Sequence, residues 1–480
     1  SSNVYVTTTK LTGTGQLKVD DGHTIFGAVT GSAAANGILT FIGDGTVTQE
    51  VGGNALTLVE ATGDDTKTVN FGNAVTATDI KIGAVTANFA GALNGNLEVG
   101  AGTANVTGIM TGDSAVGSGR VNFAHNVIGD INFTSKSDVV GASTIKLAAG
   151  KTLTGDVTTA NKGYGRIEIE GATGGVNDVT IAGNVGAAGQ SIKEIHLLHA
   201  GLNDNKLILA GAEIFANITS ENNDKGRISI NENITIHGNV GVAEILGVGA
   251  APGKSVQRIS IAAGKTLTMD GSIFEGNATR TGIVLGDGGA NATLSLIKND
   301  SIIFANIIGG AAGKGIINVN ATGVTINGAM GATNLFALEL EANKTATVEG
   351  MLEFDSGVGG VRSGIILGNG SILTIGAGSD FAFANNAAID GAVAGNGEIR
   401  FIDGDSLTNA GIIGGNARLS QVTIGDAANG VNLDDGAGGP IILNANINAA
   451  TLNLLGKLNT DPALDTQVMV QMSNKIQVDH

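Results

Sequence analysis

The sequence predicts an all-β chain wound into a right-handed parallel β-helix, a solenoid built from degenerate strand–turn repeats. Three observations predict this fold. Apolar and polar residues alternate in short runs, glycine, asparagine or aspartate ends most runs, and the runs recur in imperfect copies along most of the chain. Repetition of this kind without linkers is typical of coils that stack on one another and bury a shared apolar interior.

The composition disfavours helices and favours strands. The 480 residues include 77 glycines, 3 prolines, 2 tyrosines, no cysteine and no tryptophan. Glycine loses more backbone entropy than other residues when a helix forms, whereas valine and isoleucine suit strands. Because 42% of the residues are hydrophobic, the chain can form a large core and is not a disordered glycine-rich linker.

Strands are expected where two apolar residues stand two positions apart in a short run, because alternate side chains of a strand share one face. We find no helical pattern longer than about two turns. The pairs expected to point inward are Ile167/Ile169, Val179/Ile181, Ile195/Leu197, Leu207/Leu209, Ile228/Ile230, Ile234/Ile236, Ile259/Ile261, Ile283/Leu285, Leu294/Leu296, Val324/Ile326, Leu338/Leu340, Ile365/Leu367 and Leu373/Ile375.

One repeated segment contains a nucleotide-binding signature. Ala-Ala-Gly-Lys-Thr-Leu-Thr occurs at 148–154 and at 262–268, and its Gly-Lys-Thr is the end of a phosphate-binding loop. That loop needs a glycine five residues before the Gly-Lys pair, where this chain has Ile145 and Ile259. Alternating residues on both sides indicate a strand–turn–strand corner instead, and no nucleotide is expected.

A second corner, Gly-Asn-Val-Gly, follows a strand at 183–186 and at 238–241. Glycine and asparagine tolerate left-handed backbone geometry, and asparagine side chains stacked from coil to coil can hydrogen-bond along the axis. Coils of roughly 20 residues with loops of different lengths are expected. The solenoid is expected to span 1–440, and 441–480 is expected to be a terminal coil, cap or spacer.

Charge and cysteine content exclude several functions. The formal net charge of −17 repels phosphate backbones, so nucleic acid is not an expected partner. The absence of cysteine removes disulfides and thiolate metal sites. With neither a signal peptide nor a run of eighteen apolar residues, we interpret the chain as a processed segment of a longer exported polypeptide.

No catalytic set is apparent, so we expect neither an enzyme nor a cofactor. Polygalacturonase-like β-helix enzymes carry Asn-Thr-Asp before Asp-Asp, whereas here Asp434-Asp435 precedes the Asn-Thr-Asp at 459–461. His196 and His199 stand three residues apart and would face opposite sides of a strand. We therefore expect a solvent-facing histidine and a turn histidine rather than a metal site.

Carboxylates at turns are the sequence feature that most resembles a cation site. They occur in Gly-Asp-Gly at 43–45, in Gly-Asp-Gly-Gly at 286–289 and in Asp-Gly-Asp at 403–405. Oxygen ligands from stacked turns can bind calcium, but the tandem nonapeptide array that would make this signal strong is missing. No specific metal site is predicted.

Three lysines, Lys151, Lys265 and Lys344, occupy the same place in three copies of the first corner. Their side chains are expected to point to water, which favours solubility and protects strand edges. The alternative interpretation is an exposed row of amines that binds a partner or is modified.

The Gly-Lys-Thr-Leu-Thr and Gly-Asn-Val-Gly turns, with Asn-Gly-Ile-Leu-Thr-Phe-Ile-Gly-Asp-Gly-Thr-Val-Thr at 36–48, resemble passenger domains of rickettsial autotransporters of the surface cell antigen family. The resemblance covers most of 1–440. It implies an exported β-helical passenger on the outer membrane of a Gram-negative bacterium, attached through a C-terminal membrane barrel that we expect to lie outside this segment. In some members it also implies methylated lysines.

The resemblance implies adhesion to host cells and their invasion. The leading expectation is therefore a surface-displayed adhesin or invasin that contacts a host cell-surface protein receptor, with candidate binding loops near His196–Lys206 and Leu246–Arg258. One alternative is a structural surface layer or protective coat without a specific receptor, marked by self-association. The other alternative is a polysaccharide-active β-helix enzyme.

Overall fold

A computed structural model describes residues 3–136, 141–171, 178–198, 205–221, 225–242, 255–274, 282–287, 290–355, 363–376, 379, 381–384, 387–402, 412–425, 446–455 and 476–478. Across these ranges the backbone forms strands, turns and bends, and no helix capable of crossing a membrane is found in them. The chain forms two compact units, Ser1–Arg227 and Ile228–His480.

The first unit consists of short strands joined by turns. Its strands are β1 (Thr8–Leu11), β2 (Gln16–Val19), β3 (His23–Ile25), β4 (Ala28–Gly31), β5 (Ile38–Ile42), β6 (Gly45–Val47), β7 (Val51–Thr62), β8 (Thr68–Phe71), β9 (Val75–Ile82), β10 (Thr86–Phe89), β11 (Leu93–Val99), β12 (Thr103–Val106), β13 (Met110–Thr111), β14 (Ser114–Val116), β15 (Arg120–Phe123), β16 (Val127–Ile128), β17 (Ile131–Phe133), β18 (Thr144–Leu147), β19 (Thr152–Thr154), β20 (Val157–Thr159), β21 (Tyr164–Ile169), β22 (Asp178–Ile181), β23 (Ile192–Leu197), β24 (Lys206–Leu209), β25 (Glu213–Ile214) and β26 (Asn217–Ser220).

These strands stack in parallel on three faces. Face A contains β3, β6, β8, β10, β12, β15, β18, β21, β23 and β26. Face B contains β1, β4, β13, β16, β19, β22 and β24, and face C contains β2, β5, β14, β17, β20 and β25. The longer β7, β9 and β11 continue from face B to face C. One strand per face in each coil is the parallel β-helix that the sequence predicts.

The second unit has the same construction. Its strands are β27 (Arg227–Ile230), β28 (Ile234–Ile236), β29 (Arg258–Ala262), β30 (Thr266–Met269), β31 (Ile273–Phe274), β32 (Ile283–Asp287), β33 (Thr293–Leu296), β34 (Ile302–Phe304), β35 (Ile307–Gly309), β36 (Ile316–Val319), β37 (Val324–Asn327), β38 (Met330–Leu335), β39 (Ala337–Leu340), β40 (Thr345–Glu349), β41 (Leu352–Asp355), β42 (Gly364–Leu367), β43 (Ile372–Ile375), β44 (Phe381–Ala384), β45 (Ala388–Gly391), β46 (Glu398–Phe401), β47 (Ile412–Ile413), β48 (Leu419–Ile424), β49 (Asn446–Leu454) and β50 (Ile476–Val478).

Three parallel stacks again form its faces. Face D contains β27, β29, β32, β35, β38, β41 and β44. Face E contains β28, β30, β33, β36, β39, β42, β45 and β47, and face F contains β31, β34, β37, β40, β43, β46 and β48. Within the predicted terminal segment, β49 pairs with β47 and β48, and β50 pairs with β49.

Coil length varies more than the expected value of roughly 20 residues suggests. Equivalent residues of successive coils lie 17 positions apart at Asn88 and Asn105 and 28 apart at Asp156 and Asn184. In the second unit, Asn239 and Ser272 are 33 apart. Strands keep their register while the connections between them absorb the difference in length.

The interior consists of apolar ladders. All the inward pairs named above are buried, which confirms their predicted orientation. Phenylalanines contribute more than the sequence indicated: Phe71 and Phe89 stack with ring centroids 4.9 Å apart, and Phe41 meets Phe71 edge to face at 5.8 Å. Each such ring contributes about 1.5–3 kcal/mol through burial, so successive coils are held together mainly by this interior.

The Gly-Lys-Thr segments are corners, as predicted. Gly150 and Gly264 have φ of 74° and 73°, a left-handed geometry that favours glycine. In the third copy of the corner, at 341–347, Asn343 stands where the other two copies have this glycine, with φ of 61°. Asparagine tolerates left-handed backbone geometry. A strand follows each turn, where a phosphate loop would begin a helix.

The Gly-Asn corners stack through both backbone and side chains. Oδ1 of Asp156 accepts a hydrogen bond from the backbone N–H of Asn184 at 2.8 Å. A Cβ atom added to Gly183 would lie 1.9 Å from the carbonyl oxygen of Gly155, so only glycine fits between the coils. Oδ1 of Asn184 in turn accepts hydrogen bonds from the backbone N–H groups of Ala212 and Glu213, both at 3.0 Å, which confirms at this corner the predicted hydrogen bonding of an asparagine side chain along the axis.

Candidate functional surfaces

The three corner lysines are partly exposed and stand directly before strands. Lys151 precedes β19 in the first unit, and Lys265 and Lys344 precede β30 and β40 in the second. Because β30 belongs to face E and β40 to face F, Lys265 and Lys344 do not share a column. Nζ of Lys265 lies 2.6 Å from Oε2 of Glu232. Partner binding or modification at these amines stays a prediction.

Polar side chains form a regular column on face A, which we call the polar ladder. Thr-x-Asn occurs at 68–70, 86–88 and 103–105, and its outward side chains are in register on β8, β10 and β12. Each amide donates to the previous one: Asn88 to Asn70 at 2.8 Å and Asn105 to Asn88 at 2.7 Å. Asn122 of β15 continues the series at 2.7 Å.

Further along face A the outward positions become charged, and we call this group the charged ladder: Arg120, Lys146, Arg166, Glu168, Glu194 and His196. The carboxylate of Glu168 contacts the guanidinium of Arg120 and lies 3.7 Å from Nε of Arg166. Its side chain is only 8% exposed. Nε of Arg166 is 3.3 Å from Glu194 without hydrogen-bond geometry. Carboxylates and guanidinium groups from neighbouring coils therefore neutralise one another.

The expectation of a solvent-facing histidine is wrong for His196. It faces away from the apolar interior but is only 4% exposed, because it lies in register between Glu168 and Thr219 of adjacent coils. The hydroxyl of Thr219 donates to Oε2 of Glu194 at 2.8 Å and contacts Nδ1 of His196 at 2.8 Å. His199 lies outside the described residues.

One of the suspected calcium turns already contains a cation. Asp44, in the Gly-Asp-Gly at 43–45, stacks over Asp21 of the preceding coil and donates its backbone N–H to that carboxylate at 2.6 Å. Nζ of Lys67 lies 2.9 Å from Asp21 and 3.5 Å from Asp44. The hydrogen bond between Lys67 and Asp21 lowers the pKa of Asp21 and raises that of Lys67. The ammonium group thus lies between the two carboxylates, in the position that a metal ion would need.

The remaining suspected cation and catalytic turns fall largely outside the described residues. Asp287 ends β32, but the glycines after it are not described. The segments 403–405, 434–435 and 459–461 also lie outside the described ranges. Among the residues that the structure does describe, no group of three or more histidine, aspartate or glutamate side chains is placed to hold a metal ion.

Face F of the second unit has a groove of about 410 Å³ where β43, β46, β48 and β49 meet. Thr374, Arg400 and Asn453 supply polar groups along it, and Ile402 and Leu455 supply apolar edges. The groove therefore combines hydroxyl, amide, guanidinium and aliphatic groups. Such a lining matches a partner surface that is itself partly polar and partly apolar, such as a loop of another protein.

Glu398 organises this groove. Its Oε1 accepts hydrogen bonds from Arg400 at 2.7 Å, Gln421 at 2.8 Å and Thr423 at 2.7 Å. Burial raises the pKa of Glu398, but the hydrogen bonds from Arg400, Thr423 and Gln421 lower it by more, so that it lies below the usual value. The carboxylate is therefore held charged and fixes three neighbouring side chains in place.

Sequence reasoning missed both the polar ladder and the groove. The ladder has a visible signal, since Thr-Val-Asn-Phe at 68–71 and Thr-Ala-Asn-Phe at 86–89 repeat outward as well as inward residue types. The groove has no comparable signal, because Glu398 and Gln421 become neighbours only once the length of the coil between them is known.

Comparison with known proteins gives one informative similarity. The chain is 28% identical over 489 aligned residues to outer membrane protein A of Rickettsia rickettsii, an alignment that covers 94% of this chain and 20% of that protein. The chain thus spans about a fifth of the length of this relative. No protein-family model matches the sequence, and no solved structure matches it.

This similarity supports the coarser expectation drawn from the turn motifs, that of a rickettsial surface antigen. It also supports the predicted location at the bacterial cell surface, in the outer membrane.

Proposed function

We propose that the chain is a passenger segment of an autotransporter of the surface cell antigen family, and that it acts as an adhesin or invasin on host cells. The similarity to outer membrane protein A of Rickettsia rickettsii over 94% of the chain carries this proposal. Within the family the turn motifs look most like outer membrane protein B, and this finer assignment belongs to the proposal as well.

The architecture supports a display role. Among the described residues, apolar ladders take up most inward positions, so most outward positions can carry side chains that the core does not require. Coil lengths between 17 and 34 residues allow loops of different size to project from a constant scaffold. The loops near 196–206 and 246–258, which we propose as binding loops, lie mostly outside the described residues.

The expected partner is a host cell-surface protein. The groove on face F, with Thr374, Arg400 and Asn453 beside aliphatic side chains, is the described surface best suited to a protein loop. The net charge of −17 disfavours nucleic acids and acidic glycans. The proposal assigns no catalytic activity and no cofactor to the chain.

Saturable binding of labelled protein to cultured mammalian cells tests the proposal. An unrelated acidic β-helix protein of similar size is the control for nonspecific adsorption. We expect specific binding that unlabelled protein displaces, and cross-linking should then capture a protein. Binding no stronger than the control would reject receptor recognition by this chain and favour the alternative of a surface layer or coat without a receptor.

A further inference from the structure

The polar ladder differs chemically from the rest of this acidic chain. From β8 to β12 its outward positions are Thr68, Asn70, Thr86, Asn88 and Thr103, followed by Asn105, and none of them is charged. All are partly exposed. In a chain of net charge −17, a second copy can approach this face without meeting opposed carboxylates on these rungs.

The ladder presents groups that are each both donor and acceptor. The hydrogen bonds between Asn70, Asn88 and Asn105 use one N–H of each donating amide. An amide carries two N–H groups and an oxygen with two lone pairs, and a threonine hydroxyl both donates and accepts. The face is therefore self-complementary, as a two-fold symmetric interface requires.

The repeat distance is compatible with a second copy as the partner. Stacked strands place equivalent side chains about 4.8 Å apart. A second copy of this chain has the same repeat, so each rung can meet a rung along the whole ladder, as identical repeats do between paired sheets. A partner with another repeat would match one or two rungs and lose the others.

We infer that the polar ladder is a lateral docking surface for a second copy of this chain, packed face to face about a two-fold axis near Asn88 and Thr103. The charged ladder limits this surface at one end, because Arg120 is bound to Asn122 at 2.7 Å and to Glu168. This inference does not rest on receptor binding.

The size of the surface sets the expected strength. Thr46 of β6 is in register with Asn70 and extends the polar ladder at its other end. Five rungs, from Thr46 to Asn122, cover roughly 19 Å by 13 Å, or about 250 Å² on each copy. A standard interface buries roughly 800 Å² per partner, so the association is expected to be weak and transient. It therefore becomes significant where copies are crowded side by side.

Sedimentation of the full chain between about 10 μM and 1 mM tests this inference, a concentration range suited to weak association. Thr86→Glu with Thr103→Glu places like charges on the docking surface and leaves the asparagine ladder in place. The matched control, Thr268→Glu with Ser295→Glu, adds the same charge to partly exposed, neighbouring positions on face E. We expect the first pair to weaken self-association at least tenfold and the control pair to leave it nearly unchanged.

Disulfide trapping provides a second measurement, because the chain has no cysteine of its own. Under mild oxidation, Thr86→Cys should form several-fold more covalent dimer than Thr268→Cys. The inference is overturned if the protein stays monomeric at the highest concentration or if both glutamate pairs behave alike. It is also overturned if the polar ladder binds a neutral oligosaccharide while the protein remains monomeric.

Discussion

Oδ1 of Asp130 accepts a hydrogen bond from the backbone N–H of Asp156, 26 residues further along the chain, at 2.8 Å. Asp113 makes the same contact to Asp130 at 2.9 Å. Each carboxylate thus holds the next coil in register, while like charges are stacked along the same edge. Hydrogen bonding and charge act in opposite directions here, and substitution can separate them.

Asp130→Asn is expected to stabilise the first unit by a few tenths of a kcal/mol at low salt, since it keeps the acceptor and removes one of three stacked charges. Asp130→Ala should cost about 1 kcal/mol, because the N–H of Asp156 loses its partner. Urea unfolding at low and high salt measures both effects. A loss of stability in Asp130→Asn would show that the charge itself is needed.

Lys67 is expected to act as a substitute for a divalent cation between Asp21 and Asp44. Lys67→Met should lower the melting temperature, and millimolar calcium should restore part of the loss because two carboxylates are then free to bind it. The control is Lys81→Met, since Lys81 contacts one exposed carboxylate, Glu98, at 3.2 Å. Equal calcium responses in both variants would contradict this role.

Glu168→Gln is expected to destabilise the first unit by about 2 kcal/mol, because Arg120 loses its charged partner and Arg166 loses one of the two carboxylates beside it in a largely buried place. The matched control is Glu98→Gln, whose side chain is 59% exposed and whose loss should cost less than about 0.5 kcal/mol. Urea unfolding followed by circular dichroism compares them. Equal effects would mean that the charged ladder is no stronger than a surface ion pair.

Glu339 provides a pH-dependent prediction. Burial raises its pKa above 4.5, opposed by a hydrogen bond from Asn318 and assisted by the charge of Glu341. A carboxyl with a raised folded-state pKa binds its proton more tightly when folded, so it costs stability as pH rises through that pKa.

Glu339→Gln should accordingly raise the urea midpoint at pH 7 and change it little at about pH 3, well below the ordinary pKa of 4.5, where the carboxyl is protonated in both states. Unfolding at the two pH values measures the difference. Equal shifts at both would attribute the effect to packing rather than to charge.

Filling the groove on face F is expected to weaken binding to host cells. Thr374→Arg places a long side chain in the groove, whereas Thr325→Arg adds the same charge to the same outward column, outside the groove. At least a fivefold loss of cell binding is expected for the first variant alone. Similar binding by both variants would remove this groove from the proposed receptor surface.

The sequence by itself determined the strand orientation and the corners. Alternation at Ile167 and Ile169 predicts an inward face because side-chain direction in a strand depends only on local backbone geometry. Gly150 and Gly264 predict turns for the same reason, since left-handed backbone geometry is a property of the residue itself. These are short-range effects, and they are sufficient to specify the repeated unit of a solenoid.

The tertiary structure alone decided which side chains from different coils meet. Coil lengths of 17 to 34 residues bring Glu168 to Arg120, place Lys67 between two aspartates and separate Lys265 from Lys344 onto different faces. Burial of His196 follows in the same way from its register with Thr219. Such contacts depend on the number of residues in the coils between the two positions, and no local sequence pattern specifies that number.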